Sequence, residues 1–515
     1  MAKHLHELFL RGLRHFPGRA CLVDAEGPRT YAEVADASGR IANALRRAGL
    51  GPGDRVGVLS PNAAPAFECL LGLLRAGCSW VPLNPRNPVA ELEAYLVLTR
   101  CAWIFYHEEF EETAAALRAS LPGLRGIVRF GGTGAELAAW AGAEAAEVEP
   151  LQAGWDHEAT AFPTGGTTGR SKAVRWTSAT WAALAANLHA GVHHAEPPVF
   201  LVAAPMTHAA GVVALAMLGL GATCVMIPRA EPLAVMEAIE RHRVTTLFLP
   251  PTVIYMMLAH GRVRDFDYSS LRQFVYAAAP MSVEKLREAM AVFGPVMCQT
   301  YGQAEAPMVC TVLSREDHAE ALRTGLTGRL ASCGRPTLFT DLAVMDEAGA
   351  LLGPRAVGEI VVRGPLVMAG YLDDPAATEA ASAHGWHHTG DLGFQDEDGF
   401  VYIVDRKRDM IISGGFNVYP GEIEQVLCSH PAVQDCAVVG VPDDKWGEAV
   451  KAVVELKPGR SVDPEELVRH CRERLDGVRT PKSVEIWPEL PRSPVGKVLK
   501  RTIRDRFWAG RDRKI

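Results

Sequence analysis

The chain has 515 residues, 48% of them hydrophobic and 22% charged, and its formal net charge is −7. This length predicts three or four compact units of about 150 residues each, and the composition excludes a disordered chain. The mildly acidic balance gives no basic surface for nucleic acid, so we expect no nucleic-acid partner. The eleven cysteines form no C-x-x-C pair and the N-terminus carries no apolar signal segment, which favours reduced core cysteines and a cytoplasmic location.

Helical and strand-like segments alternate through the first half of the chain. Thr30 and Glu33 have the spacing of a capping box and predict a helix over Tyr31–Arg47. A second helix is predicted over 67–75, and strand-like runs lie at 55–59, 80–83, 103–106, 199–202, 246–249 and 274–276. Strands that alternate with helices predict parallel sheets that bind ligands at the carboxyl ends of their strands.

Two segments of unusual composition interrupt this pattern. The Ala/Glu-rich segment 135–149 predicts a solvated helix or loop. The uncharged segment 209–227 meets the length of roughly 18 residues that a membrane span needs. Its internal glycines instead favour a buried helix followed by a strand, so we expect no membrane span.

From Gly358 onward the chain changes to short β-rich pieces at 359–363 and 399–404. A helix over 420–427 and a strand over 436–441 then begin a smaller α+β unit. The predicted fold class is α/β and α+β, with a large N-terminal domain of parallel-rich sheets and a β-rich subdomain. The small α+β C-terminal domain follows, and we divide the chain into domains at 1–407 and 408–515.

A loop rich in glycine and threonine at 162–172 indicates phosphate binding. Glycines let consecutive backbone N–H groups turn toward one anion, threonine hydroxyls add donors, and lysine adds a mobile positive charge. The spacing differs from the P-loop motif, and a flexible surface turn is the alternative when the loop is taken alone. The candidate nucleotide-binding residues here are Thr164, Gly165, Gly166, Thr167, Thr168, Gly169 and Lys172.

Other motifs follow this loop in a fixed order. They are PMTHAAG at 205–211, QTYGQAE at 299–305, GWHHTGD at 385–391, DRKRD at 405–409, SGGFN at 413–417 and PRSPVGK at 491–497. In this order they resemble the adenylate-forming superfamily, which includes acyl-CoA synthetases, aryl-CoA ligases, luciferases and the adenylation domains of peptide synthetases. The resemblance runs from about Tyr31 to the C-terminus.

The resemblance implies a reaction in two halves with ATP, Mg²⁺ and coenzyme A. A carboxylate attacks the α-phosphate of ATP to give an acyl-adenylate and pyrophosphate, and a thiol then displaces AMP. The first half brings two anions together, so positioning and charge neutralisation carry the catalysis. By resemblance Lys497 is the leading catalytic residue and bridges the carboxylate, the ribose and the α-phosphate. Glu305, a second catalytic candidate, binds the metal. A solvated lysine and a surface glutamate are the alternatives.

The same resemblance assigns the nucleoside site. Tyr301 packs on the adenine opposite the backbone of Ala278, Ala279 and Pro280, while Asp391 accepts from the ribose hydroxyls and Arg406 donates to the same sugar. Thr300 and Gly302 complete the predicted nucleotide-binding set. A core tyrosine and an ordinary turn are the alternatives at Tyr301 and Asp391.

The predicted acyl pocket is lined mostly by small or apolar residues. It comprises His208, Gly211, Val212, Thr252, Tyr255, Ala279, Gly302, Pro307 and Met308. This set has no obvious cation for a second carboxylate, which disfavours dicarboxylic acids such as malonate. The resemblance implies an acid:CoA ligase that acts on a hydrophobic carboxylic acid, whether fatty, aryl or alicyclic. His208 also stands as a catalytic candidate because relatives place a pocket gate there; a structural histidine is the alternative.

Acceptor binding and domain motion are also inferred from the resemblance. Gly414 and Gly415 match the loop along which the pantetheine arm of coenzyme A lies, and Trp446 lies near the CoA nucleotide. Arg408, two residues after Arg406, matches the hinge of a mobile C-terminal domain. A plain glycine turn and a buried tryptophan are the alternatives.

Three positions depart from the family pattern. Ala304 stands where threonine is usual, Gly165 where serine is usual and Ala173 where glycine is usual. The first two remove hydroxyl donors from the phosphate contacts. Three rival functions therefore stay open, namely an enzyme that loads a carrier protein, a non-catalytic binding protein and, most distantly, a luciferase-type monooxygenase. A homodimer is left open as the assembly.

Overall fold

The computed structural model describes residues 4–131, 134–164, 172–443, 445–492 and 498–509. The helices are α1 (Leu5–His15), α2 (Tyr31–Arg47), α3 (Ala64–Ala76), α4 (Val89–Leu98), α5 (Glu111–Ser120), α6 (Ala135–Ala141), α7 (Ser178–Gly191), α8 (Ala209–Met217), α9 (Pro232–Arg241), α10 (Pro251–Ala259), α11 (Val283–Phe293), α12 (Arg315–Thr324), α13 (Pro375–Ala381), α14 (Pro420–Cys428), α15 (Pro464–Arg472) and α16 (Lys500–Phe507). The strands are β1 (Ala20–Asp24), β2 (Gly27–Thr30), β3 (Arg55–Leu59), β4 (Ser79–Leu83), β5 (Trp103–His107), β6 (Gly126–Phe130), β7 (Glu158–Pro163), β8 (Ala173–Thr177), β9 (Val199–Val202), β10 (Thr223–Met226), β11 (Thr246–Leu249), β12 (Gln273–Tyr276), β13 (Met297–Tyr301), β14 (Thr311–Leu313), β15 (Arg335–Pro336), β16 (Asp341–Met345), β17 (Gly358–Arg363), β18 (His387–Gln395), β19 (Val401–Arg406), β20 (Ile411–Ser413), β21 (Phe416–Val418), β22 (Val433–Asp443), β23 (Gly447–Leu456) and β24 (Ser483–Trp487).

Two parallel-rich sheets form the larger part of the molecule. Sheet A has the order β15-β14-β13-β12-β11-β9-β10-β1-β2, and sheet B has the order β6-β5-β3-β4-β7-β8. The pairs from β1 through β10, β9, β11 and β12 to β13 are parallel, while β2, β14 and β15 pair antiparallel at the edges. The predicted fold class is therefore confirmed, and the carboxyl ends of the central strands share one edge of sheet A.

Sheet A separates two hydrophobic clusters. In β9 the side chains of Phe200 and Val202 belong to one cluster, and Leu201 between them belongs to the other. This alternation follows from the period of two residues in a strand. Helix α8 packs in the first cluster, whereas α9, α10 and α11 pack in the second.

The start of α2 confirms the capping box that the sequence predicts. Thr30 Oγ1 accepts from Glu33 N at 3.2 Å, and the Glu33 carboxylate accepts from Thr30 N at 2.7 Å. The Ala/Glu-rich segment forms α6 and a following loop, and most of its residues are exposed, as predicted; the loop is also hydrogen-bonded to α2. Arg40 and Asn43 donate to its backbone carbonyls, and a Cβ on Gly39 would lie 1.9 Å from Ala146 O.

The uncharged segment 209–227 is a buried helix and strand, as predicted. It forms α8, one 3₁₀ turn and then β10, which pairs with β9 and β1 in sheet A. The Tyr31 hydroxyl donates to the carbonyls of Leu218 (3.2 Å) and Ala222 (2.8 Å) between them. No helix among the described residues has the length and apolarity that a membrane crossing requires.

The C-terminal part of the chain has its own sheets and cores. Sheet C joins β16 to β19 in order, and sheet D contains β20 to β24. Two further hydrophobic clusters draw their residues only from 411–507. The division of the domains at 407/408 is consistent with these separate cores and stays a prediction.

The cysteines are core residues. All eleven lie in the described part of the chain, none of them is in a disulfide, and all except Cys428 are buried. This burial agrees with their interpretation as small apolar side chains.

Candidate active site

The segments that follow β12 and β13 carry the predicted nucleotide residues. Ala278 (φ +73°) and Met308 (φ +62°) both have left-handed backbone, which costs energy for a residue with a side chain. Such strain persists where the surrounding structure imposes it, and it is concentrated at functional sites. Ala278, Ala279 and Pro280 come directly after β12, and Thr300 and Tyr301 end the neighbouring β13.

A triad around the buried Asp391 carboxylate joins three of the predicted nucleoside residues. Tyr301 donates its hydroxyl to Asp391 Oδ2 at 2.6 Å, and Arg406 Nε lies 2.6 Å from Asp391 Oδ1. Asp391 is only 2% exposed. Burial, and next the Asp391 charge, raises the pKa of Tyr301 well above its usual value, so the tyrosine is a neutral donor. Burial opposes the charge on Arg406, yet Asp391 and other neighbours raise its pKa overall.

Glu305 is connected to Lys172 through Tyr371. The Tyr371 hydroxyl donates to Glu305 Oε1 at 2.8 Å, and Lys172 Nζ lies 4.5 Å from the centroid of the same ring. Lys172 Nζ also lies 3.5 Å from Asp374 Oδ2. The structure thus brings two predicted phosphate-site residues together, although they are far apart in the sequence.

The donor set at Glu305 fits a magnesium ion that is shared with a nucleotide. No group of three or more His, Cys, Asp or Glu side chains that could hold a metal exists among the described residues. Mg²⁺ commonly takes one or two carboxylates and fills its shell with water and substrate phosphates. Glu305 Oε1 accepts from Tyr371, which orients the carboxylate, and Glu305 is the residue that would hold the metal.

The loop between Gly302 and Met308 is held by its surroundings. Trp176 Nε1 donates to Ala304 O at 2.7 Å, and Met368 N donates to Glu305 O at 2.8 Å. A Cβ on Gly302 would lie 2.6 Å from Met308 N and 2.7 Å from Ala306 O. The position therefore requires glycine, because backbone atoms fill the space of a side chain.

Thr300 carries an unpaired hydroxyl. The residue is 2% exposed, and its Oγ1 has no hydrogen-bond partner among the described residues. A buried polar group without a partner costs roughly 1–3 kcal/mol. Thr300 lies one residue before Tyr301, at the predicted nucleotide site.

His208 lies at the start of α8 beside aromatic side chains. Its ring centroid is 6.3 Å from that of Phe162, and Phe162 stacks on Trp176 at 4.3 Å. Burial, and next the charge of Arg86, lowers the pKa of His208 to about 4. The histidine is therefore neutral near pH 7, as suits an apolar pocket wall.

Four of the other pocket candidates lie on two helices. Gly211 and Val212 are buried in α8, and a Cβ on Gly211 would lie 1.8 Å from Met206 O. Thr252 and Tyr255 lie on α10, which packs in the cluster on the opposite face of sheet A. The Tyr255 hydroxyl accepts from Ser282 N at 2.9 Å, so its place in the acyl pocket stays a prediction.

Two of the predicted CoA-binding residues are in contact. Gly414 N donates to Trp446 O at 2.8 Å, and a Cβ on Gly414 would lie 2.6 Å from Trp446 Cε3. The Trp446 side chain is 42% exposed, and the adjacent Gly415 is also exposed. The contact provides an exposed aromatic face beside a glycine turn.

Several predicted site residues fall outside the described ranges. They are Gly165, Gly166, Thr167, Thr168 and Gly169 of the phosphate loop and the catalytic candidate Lys497. The base of the phosphate loop is described, because Thr164 N donates to Lys172 O at 2.9 Å.

Three site residues escaped the sequence analysis. Tyr371 contacts both Glu305 and Lys172, Trp176 holds the Ala304 carbonyl, and Arg86 lies close enough to affect His208. None of them belongs to a motif identified from the sequence, and each acts on a residue that is distant in the chain. Sequence spacing alone carries no signal for such contacts.

Comparisons with known proteins identify the family of the chain. The family model described as AMP-binding enzyme matches residues 9–372, and the AMP-binding enzyme C-terminal domain matches 422–497. A feruloyl-CoA synthase from Amycolatopsis sp. is 40% identical over 484 residues, which cover 93% of this chain and 94% of that protein. The medium/long-chain-fatty-acid–CoA ligase FadD8 of Mycobacterium tuberculosis is 35% identical and aligns over 99% of this chain and 91% of its own.

The fold comparison extends over both parts of the chain. The structure of the amide bond synthetase McbA from Marinactinospora thermotolerans superposes with a TM-score of 0.88 at 32% identity, over 98% of this chain and 100% of that chain. The motifs, the triad and these similarities lead to one assignment. The chain belongs to the AMP-binding enzymes of the adenylate-forming superfamily.

Proposed function

We propose that this enzyme is an ATP-dependent acid:CoA ligase of the AMP-forming type. The acid carboxylate attacks the α-phosphate of ATP, the bond to pyrophosphate breaks, and an acyl-adenylate forms. The thiol of coenzyme A then attacks the acyl carbon, and AMP leaves. The observation that carries this proposal is the Tyr301–Asp391–Arg406 triad beside Glu305 and Lys172, because it joins a nucleoside anchor to a phosphate site.

Charge neutralisation is the main task of the adenylating half. Lys172 would meet phosphate oxygens, and Glu305 would hold a Mg²⁺ that neutralises phosphate charge when it is bound. Asp391 is anchored by Tyr301 and Arg406 and offers its remaining lone pairs to the ribose hydroxyls. Lys497 is the proposed bridge between the acid carboxylate and the α-phosphate.

The acceptor proposed for the second half is coenzyme A. The Trp446 ring is partly exposed beside Gly414, and Lys445 Nζ lies 4.6 Å from its centroid, which suits a nucleotide and a thin pantetheine arm. Feruloyl-CoA synthase and the fatty-acid–CoA ligase, both named for CoA products, are similar to this chain over more than nine-tenths of its length. A carrier protein as the acceptor is the outcome that a test with free CoA would reveal.

The proposed substrate is a hydrophobic monocarboxylic acid, whether aryl, fatty or alicyclic. The neutral His208 and the buried Val212 suit an apolar chain or ring. Arg86 is the charged group near His208 and lies outside the pocket set predicted from the sequence. A substrate screen should therefore include a dicarboxylic acid such as malonate beside ferulate, a fatty acid and an alicyclic acid.

Pyrophosphate release and acyl-CoA formation, measured over this screen, test the function. Lys497→Ala should lose adenylation by a factor on the order of 10²–10³, because a preorganised donor is removed. Thioester formation from supplied acyl-AMP should persist. Equal loss in both halves would contradict the role of Lys497, and absence of acyl-CoA with every acid would contradict the proposed function.

Two further proposals concern the oligomeric state of the enzyme and its cellular location. A homodimer stays a prediction, and light scattering on the purified protein measures it. The cytoplasmic location also stays a prediction, and the unpaired cysteines agree with a reducing compartment.

A further inference from the structure

Tyr371 lies between two groups of opposite charge. Its hydroxyl donates to Glu305 Oε1 at 2.8 Å, and the face of its ring receives the Lys172 ammonium at 4.5 Å from the centroid. A tyrosine suits both contacts, because the ring face is electron-rich while the hydroxyl presents a proton. Lys172 and Glu305, both described by the structure, form no ion pair with each other.

The backbone around Tyr371 is fixed independently of these contacts. Tyr371 N donates to Thr378 Oγ1 at 2.9 Å. Arg175 N donates to Gly370 O at 3.0 Å, and Leu372 N donates to Ala173 O at 2.8 Å. The segment is therefore paired with β8, the strand that follows the phosphate loop. The backbone position of Tyr371 is thus fixed by main-chain hydrogen bonds that do not involve its ring.

The contacts of Lys172 suit a spacer. The Tyr371 ring faces the Lys172 ammonium, and Asp374 Oδ2 lies 3.5 Å from the same Nζ. A lysine ammonium on its flexible stem is attracted to a nearby carboxylate, so loss of the ring would let Lys172 approach Glu305.

We propose that Tyr371 is a positioning residue that keeps Glu305 and Lys172 apart and oriented. The carboxylate then stays available to Mg²⁺, and the ammonium stays available to the phosphate oxygens of ATP. Without this spacer Lys172, which already lies 3.5 Å from Asp374 Oδ2, would also be free to pair with Glu305. The inference rests on the proposed function, since that function assigns both groups to the triphosphate.

Two substitutions separate the two contacts. Tyr371→Phe removes the hydroxyl and keeps the ring, whereas Tyr371→Leu removes both. ATP binding is measured by calorimetry over a series of Mg²⁺ concentrations, without acid or CoA. We expect Tyr371→Phe to raise the Mg²⁺ concentration for half-maximal ATP binding about three- to tenfold. At saturating Mg²⁺, Tyr371→Leu should bind ATP about two- to fivefold more weakly than Tyr371→Phe does.

A matched control exists on sheet B. Tyr106, on β5, also donates its hydroxyl to a glutamate, at 3.1 Å from Glu111 Oε2. Tyr106→Phe should leave ATP binding and its Mg²⁺ dependence at the wild-type values. Melting temperatures of all variants identify any general loss of folding, and if Tyr371→Leu unfolds, Tyr371→Phe decides alone.

A double-mutant cycle tests whether Tyr371 acts through Glu305. In a Glu305→Gln background, Tyr371→Phe should change the Mg²⁺ dependence by less than about twofold. Wild-type Mg²⁺ dependence in Tyr371→Phe, or an undiminished effect in the Glu305→Gln background, would overturn the inference. ATP binding is measured without acid or CoA, so it does not depend on thioester formation. Failure of the wild type to form acyl-CoA would contradict the proposed function without bearing on the role of Tyr371.

Discussion

Both carboxylate oxygens of Asp391 are in contact with side chains of the protein itself. One oxygen accepts from the Tyr301 hydroxyl at 2.6 Å, and the other lies 2.6 Å from Arg406 Nε. A buried carboxylate needs such partners, since an unpaired charge in the interior is costly. The same contacts fix its direction, so the side chain is oriented for the two hydroxyls of a ribose.

Thr300 is the opposite case, a buried hydroxyl without a partner among the described residues. Ala304, four residues later, lacks the hydroxyl that the family pattern has. We predict that Thr300→Val weakens ATP binding several-fold, with a lost hydrogen bond worth about 0.5–1.5 kcal/mol. The same variant should keep or raise the melting temperature of the empty protein, because it removes an unsatisfied polar group.

Calorimetric ATP binding and a thermal melt on the same preparation check both parts of this prediction. Thr311→Val is a suitable control, since Thr311 Oγ1 donates to Cys333 O within the core. That variant should lose stability and leave ATP affinity unchanged. Unchanged ATP affinity in Thr300→Val would mean that the hydroxyl does not meet the nucleotide.

At the scale of elements, the 302–308 loop is positioned by contacts at three points. Trp176 and Met368 hold its carbonyls, and Gly302 packs against its own turn. The loop carries Glu305, so its backbone sets where the carboxylate lies. Small backbone shifts there should cost activity out of proportion to their effect on stability.

Gly302→Ala tests this dependence. The new Cβ would lie 2.6 Å from Met308 N and 2.7 Å from Ala306 O, so the backbone must move. We expect kcat/KM for ATP in the adenylating half to fall about 10²-fold, the loss that a displacement near 1 Å can produce. Gly261→Ala is the control, since nothing lies within 4 Å of its Cβ. Near-normal turnover in Gly302→Ala would show that the loop adapts.

At the scale of the whole molecule, Glu68 in α3 makes stability depend on pH. Glu68 is 8% exposed, and Arg29 Nη1 lies 3.4 Å from its Oε1. Burial raises the pKa of Glu68 from 4.5 to about 7; Arg29 opposes this shift, while Asp24 and Glu26 add to it. The folded protein therefore binds more protons than the unfolded chain between these values, and stability falls as pH rises through 7.

The rise in the pKa of Glu68 from 4.5 to about 7 corresponds to about 3 kcal/mol of stability. We predict that Glu68→Gln gains stability relative to wild type as pH rises from 5 to 8. Melting temperatures of both proteins across this range, with the exposed Glu347→Gln as control, measure the difference. A constant difference between Glu68→Gln and wild type would show that Glu68 does not titrate in this window.

The joint between sheet C and sheet D offers the other test at this scale. Residues 407–409 form a turn after β19, in which Asp409 N donates to Arg406 O at 2.9 Å. We predict that Arg408→Pro allows acyl-AMP formation but slows its reaction with CoA about tenfold or more. Proline fixes φ near −65° and restricts the rotation that a hinge needs.

Single-turnover assays of the two half-reactions separate these effects. Arg408→Ala removes the same side chain but keeps the backbone free, so it should react with CoA at close to the wild-type rate. If Arg408→Pro also turns over normally, the pivot lies elsewhere in the chain.

The sequence by itself determined the features that short segments contain. The capping box at Thr30 and Glu33, the helix over Tyr31–Arg47 and the strand Arg55–Leu59 are local patterns of hydrogen bonding and hydrophobic period. The ordered motifs likewise identified the superfamily, because each is a contiguous run whose chemistry can be recognised without its surroundings.

Only the tertiary structure decided which distant side chains meet. Tyr371 and Glu305 are separated by 66 positions, and Trp176 and Ala304 by 128, yet each pair is hydrogen-bonded. Tyr255 shows the converse: the sequence analysis grouped it with residues of α8 in one pocket, but its helix packs on the opposite face of sheet A from α8. Contacts of this kind depend on strand order and on the face that each helix covers, and local propensity encodes neither.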